Sequence, residues 1–204
     1  MNRYERKKNI NLALQSFAEY LKLPNSDQNF LLVVAGGYDE RVIENIEHHL
    51  ELVNLATSLD ITEKIVFLRS ISNEQRILLL RNTSILLYTP ENEHFGIVPI
   101  EAMYMGCIVI ACSSGGPLES IANNKTGFLL ETKPKLWADQ IQQIANDDFK
   151  VSFDDWIDEG QEAETKDEKL TVEIIQKNAG KRVVNMFSEE AFGNRIVEIL
   201  NSMN

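Results

Sequence analysis

The chain has 204 residues, 44% hydrophobic and 25% charged, the composition of a globular protein with one substantial core. A net charge of −11 excludes a general nucleic-acid binder and broad adhesion to anionic lipid, but leaves room for a local basic site. No run approaches the roughly 18 apolar residues of a membrane span. The N-terminus lacks the apolar stretch of a secretory signal, so a soluble chain is expected.

Ile10, Ala13, Leu14, Phe17, Ala18 and Leu21 recur at helical spacing, with Asn9 as N-cap. Residues 31–35 form an apolar run ending at Gly36-Gly37, as a buried parallel strand does. A long amphipathic helix is expected over 39–59, and a second strand over 64–68. Ser72 caps a helix that runs to Arg81, and a third strand over 85–88 stops at Thr89-Pro90. A helix over 96–105 closes at Gly106, and a fourth strand covers 107–112. Pro117 opens a short helix, followed by a short strand over 126–130 and a helix over 135–145. The alternation predicts an α/β fold: a Rossmann-like parallel sheet with helices on both faces, binding ligands beyond the C-terminal strand ends.

Residues 148–169 are rich in Asp and Glu and read as a mobile acidic insertion, tacked down by Phe149, Phe153 and Trp156. It separates a core over 1–147 from the C-terminal helices over 170–204, which belong to the same domain. Cys107 and Cys112 share one apolar segment; a strand there turns them to opposite faces, so both are expected to be free and buried.

Two clusters carry candidate chemistry. Arg3, Arg6, Lys7 and Lys8 lie at or before a helix N-terminus, where cations are unfavourable unless an anion such as phosphate joins them. Either they form such a site or they point into water. Glu93 and Glu101 stand eight residues apart across a strand-to-helix junction containing His94, Phe95, Gly96 and Ile97. The free amides there face a ligand, and Glu101 is placed to accept bonds from neighbouring hydroxyls. An unpartnered carboxylate between Ile100 and Ala102 is costly. Gly36-Gly37 and Gly115-Gly116 are weak signals, readable as tight turns. His48 and His49 are expected on the surface, and no Cys/His spacing suits a metal.

The segments at 2–9 (Asn2-Arg3-Tyr4-Glu5-Arg6-Lys7-Lys8-Asn9), 35–39 (Ala35-Gly36-Gly37-Tyr38-Asp39), 88–96 and 114–120 together resemble the retaining glycosyltransferases of the two-domain GT-B fold. They are most similar to the branch that transfers mannose during lipid-linked oligosaccharide assembly. The resemblance covers about 2–133 and 172–200 and implies the C-terminal, donor-binding domain, with GDP-mannose as donor and no metal or other cofactor. It implies that Arg3 and Lys8 hold the donor diphosphate and stabilise the leaving group, and that Glu93 approaches the donor sugar. It further implies that Glu101 grips the ribose, that the amides of Phe95, Gly96 and Ile97 face sugar or phosphate, and that the base rests near Arg69.

In that family an apolar strand and an acceptor-binding domain precede Asn2. The expected partners are therefore a nucleotide sugar and, through that domain, a dolichol-diphosphate-linked oligosaccharide, at the cytoplasmic face of the endoplasmic reticulum. As an isolated piece the chain is expected to be inactive. A non-catalytic nucleotide-sugar module, or a sugar-nucleotide epimerase using His94, are the alternatives.

Overall fold

A computed structural model describes residues 1–149 and 170–202. Among these residues, five parallel strands form two sheets. β1 (Leu32–Gly36) pairs with β2 (Ile65–Arg69), Leu32 opposite Ile65 and Gly36 opposite Arg69. β3 (Ile85–Tyr88) pairs with β4 (Ile108–Cys112), and β4 with β5 (Phe128–Leu130). Between them run α1 (Ile10–Leu21), α2 (Ile43–Ser58), α3 (Asn73–Arg81), α4 (Ile97–Tyr104), the one-turn α5 (Pro117–Ser120) and α6 (Pro134–Ala145). α7 (Val172–Phe187) and α8 (Glu189–Ser202) follow.

β4 is the centre. All five of its residues are buried, and their alternation feeds two cores. Ile108, Ile110 and Cys112 pack with Phe17 of α1 and Trp137 of α6. Val109 and Ala111 pack with Ile100 and Met103 of α4 and Val183 of α7. Helices on both faces follow from that double burial. Cys112 lies in the first core and Cys107 in the second, both free, as a period of two requires.

Between the sheets, the edge of β1 away from β2 and the edge of β3 away from β4 face one cavity of about 400 Å³. Ile10 and Phe17 of α1 and Leu80 of α3 also line it. Residues 1–9 bridge the two sheets at its end. Asn2 N–H donates to Ala35 O (3.1 Å), Tyr4 N–H to Gly37 O (3.1 Å), and Thr89 Oγ1 to Lys8 O (2.7 Å).

Several expectations change. Asn9 sits at the N-cap position but at φ 48°, without a side-chain cap bond; it is the left-handed hinge between a 3-10 turn over Arg6–Lys8 and α1. α2 starts at Ile43 because Asp39 instead accepts from Arg41 N–H (2.9 Å) and closes a turn. His48 and His49 are not surface residues. His48 is buried with Nδ1 3.1 Å from Glu51 Oε2, and His49 packs edge-on to Tyr4, Tyr38 and Phe67. Adjacent positions on a helix that is covered along more than one stripe are both drawn inward.

The acidic insertion lies outside the described residues except for Asp148 and Phe149. Phe149 is a core residue rather than a surface tack, stacked on Phe128 at 5.8 Å.

Candidate active site

Parallel strands bring their C-terminal ends to one edge, and the loops there are stitched in pairs. After β1 and β2, Ser70 N–H donates to Gly36 O (2.8 Å) and Ser70 Oγ donates to Tyr38 O (2.6 Å). After β3 and β4, Gly116 N–H donates to Glu93 O (2.7 Å) and Asn92 N–H to Ser114 Oγ (3.1 Å). A Cβ on Gly116 would strike the Phe95 backbone, and one on Gly36 would strike the Asn2 carbonyl. Both glycines thus serve close approach within the chain. Gly37 lies against the Arg3 stem, 3.2 Å from Cγ to a Cβ built there.

The basic cluster divides. Arg6 turns away to α2, bonding Glu47 (2.9 Å) and Glu51 (2.6 Å). Arg3 and Lys7 both meet Glu5 at 3.0 Å, with their own side chains largely exposed. Lys8 turns inward: it is 8% exposed, and its Nζ donates to Glu93 Oε2. This contact joins two segments that lie 85 positions apart, and the Thr89–Lys8 bond fixes its backbone. Thr89 was not legible as a site residue; its signal is only that it ends a strand opposite the expected cations.

α4 opens beside this pair. Gly96 is its N-cap at φ 73°, and no side chain caps the first turn, so its leading amides are left for a ligand. Burial, with Glu93 nearby, pushes the Tyr88 phenol up to about 12. Tyr88 sits under Gly96, its oxygen 2.7 Å from a Cβ built there. Phe95 and Ile97 are exposed, Phe95 edge-on to Phe187 at 5.9 Å. His94 is exposed in the same loop.

One turn into α4, Glu101 Oε1 accepts from Arg76 Nη2 of α3 at 2.8 Å. Glu101 Oε2 and Arg76 Nε are buried without a hydrogen-bond partner among the described residues. Arg76, like Thr89, is a site residue with no signal in the local sequence pattern. Arg69, expected near a base, closes β2 beside Gly36 and lies over the Tyr38 ring at 4.8 Å. The site edge thus carries Arg3, Lys8, Arg69 and Arg76 in a chain of net charge −11. Among the described residues, no group of three His, Cys, Asp or Glu is set to hold a metal ion. No helix there is long and apolar enough to cross a membrane.

Residues 1–163 match the family of group 1 glycosyl transferases. The chain belongs to that family.

This group 1 glycosyl transferase is 51% identical over 146 residues to the alpha-1,3/1,6-mannosyltransferase ALG2 of Homo sapiens, covering 71% of the chain and 35% of the relative. It is 39% identical to the Mus musculus protein of the same name over 100% of the chain and 44% of the relative. It therefore spans less than half the length of these relatives.

Solved structures agree on the fold. Sucrose-phosphate synthase from Thermosynechococcus elongatus superposes with TM-score 0.74 at 22% identity, over 98% of this chain and 43% of that one. Anabaena HepE, solved with UDP, gives 0.73 at 21%, over 98% and 47%. The C-terminal domain of the Francisella tularensis group 1 protein LpcC gives 0.69 at 20%, over 93% and 84%. The architecture is that of the C-terminal domain of GT-B glycosyltransferases.

Proposed function

We propose that this domain binds the donor GDP-mannose within a retaining mannosyltransferase whose acceptor is a dolichol-diphosphate-linked oligosaccharide, at the cytoplasmic face of the endoplasmic reticulum. The observation that carries the reading is the convergence of Lys8 with Glu93 beside the uncapped start of α4, with Glu101 one turn further in. The resemblance to mannosyltransferases named for 1,3 and 1,6 linkages supports mannose as the sugar.

In this reading Arg3, Lys8 and the amides of Phe95, Gly96 and Ile97 take the diphosphate, which replaces Glu93 on Lys8. The bond from the anomeric carbon to the diphosphate oxygen breaks, and the acceptor oxygen bonds that carbon on the same face. The acceptor proton passes to the departing diphosphate. Charge grows on the diphosphate as the bond breaks, so fixed cations lower the barrier without a metal. Glu93 faces the sugar, Glu101 accepts from the ribose hydroxyls, and the base lies near Arg69, beside the backbone of Gly36 and Gly37.

Calorimetric titration of the chain with GDP, UDP and ADP tests the reading, and GDP is expected to bind best and to be unaffected by a chelator. Lys8→Ala should weaken GDP about tenfold or more and guanosine little, because only GDP brings phosphate charge. Glu101→Ala should weaken both alike. No GDP binding at millimolar ligand would sink the proposal.

A further inference from the structure

The ion pair between Arg76 and Glu101 has three features that a chance surface contact lacks. It is partly buried, with the two side chains 36% and 24% exposed. Each partner keeps one buried polar atom with no hydrogen-bond partner among the described residues, Nε of Arg76 and Oε2 of Glu101. Both residues are also held from behind. Arg76 follows directly on the capping box of α3, in which Ser72 and Gln75 bond each other's backbone amides, and its own amide donates to Ser72 O at 2.9 Å. Glu101 is clamped between Ile100, Ala102 and Met103, all buried.

A guanidinium N–H on one carboxylate oxygen restricts how the carboxylate can turn and leaves the second oxygen to accept from elsewhere. It also cancels a negative charge that would otherwise repel an anionic ligand bound nearby.

We propose that Arg76 is the positioning residue of the nucleotide site. It holds Oε1 of Glu101 so that Oε2 is presented to the ribose hydroxyls, and it neutralises that carboxylate against the ligand's diphosphate. The proposal rests on reading the site as a nucleotide site. It goes further by assigning ribose selectivity to a pair of residues on two different helices rather than to Glu101 alone.

The test is titration of the chain with GDP and with its 2′-deoxy and 3′-deoxy analogues, for wild type, Arg76→Gln, Arg76→Lys, Glu101→Gln and the double variant Arg76→Gln/Glu101→Gln. Wild type should prefer GDP over at least one analogue by about tenfold or more, the scale of a hydrogen bond to a charged group. Arg76→Gln should bring that preference close to one. Arg76→Lys keeps the charge but not the planar fork, so it should restore GDP affinity more than preference. The double variant should discriminate no less than Glu101→Gln alone.

Thermal melts of each variant separate loss of fold from loss of selectivity, and Arg76→Lys reports even where Arg76→Gln melts early. Arg76→Gln with the wild-type preference intact would overturn this proposal while leaving the donor-site reading standing. A wild type that binds GDP and both analogues equally would overturn this proposal alone, and one that binds none of them would overturn both.

Discussion

Single side chains at this site are set by where their partners come from. Arg3, Arg6, Lys7 and Lys8 look equivalent in sequence, yet only Lys8 reaches the junction before α4. Arg6 is captured by α2, which brings Glu47 and Glu51 one turn apart onto the face it meets. The Arg6 guanidinium, helped by His48, holds the Glu51 carboxyl down from its ordinary 4.5 to about 2.

A depressed carboxyl stabilises the fold fully above its unfolded value and stops doing so as pH falls through its folded one. Wild type should therefore exceed Glu51→Gln in stability at pH 6, with the margin shrinking from about pH 4.5 and gone by about pH 2. Denaturant midpoints at pH 6, 4 and 2 would show this, and a constant margin would refute it. The carboxylates of the site were legible because their spacing and surroundings are local. Arg76 and Thr89 were not, because their significance depends on partners 25 and 81 residues away, beyond any periodicity.

Whole elements were easier to read than their ends. β3 and α1 were legible to the residue, and Ser72 was legible as a cap because its partner Gln75 lies within one turn. A local turn closed by Asp39 and Arg41 moves the start of α2, and packing draws His48 and His49 inward although their helix reads as polar.

α4 shows how an element end becomes a functional device. Its first turn stays open because Gly96 adopts φ 73°, which positions the preceding loop over Tyr88. Gly96→Ala should cost about 1–2 kcal/mol for the left-handed backbone, and more for the clash with the Tyr88 oxygen. Tyr88→Phe in the same chain should return the clash component only. Urea midpoints of the single and double variants measure this, and equal values for the two Gly96→Ala chains would show that the phenol yields freely.

At the scale of the molecule, the sheet is two pieces. The alternation of strands and helices predicts one sheet, and nothing in a linear pattern reveals a seam. β1 and β2 are joined to β3, β4 and β5 through packing on α1 and through the bridging residues 1–9, without a ladder of backbone bonds between β1 and β3. β2 has no buried residue, whereas β4 is buried throughout.

The cavity between the sheets should divide the molecule's cooperativity. Ala35 O accepts from Asn2, while Gly36 O accepts from Ser70 beyond β2, so alternation turns the amides of Val33 and Ala35 toward the cavity. Those amides should exchange with solvent deuterium orders of magnitude faster than those of Val109 to Ala111. The β1–β2 unit should open and close while β4 and its neighbours stay shut. Equal protection on both sides of the seam would show a single folding unit instead. The faster unit carries Gly36, Gly37 and Arg69, and the slower one carries Glu93 and Glu101. A ligand spanning both would slow exchange at Val33 and Ala35 without touching either residue, so these two amides become a remote gauge of occupancy.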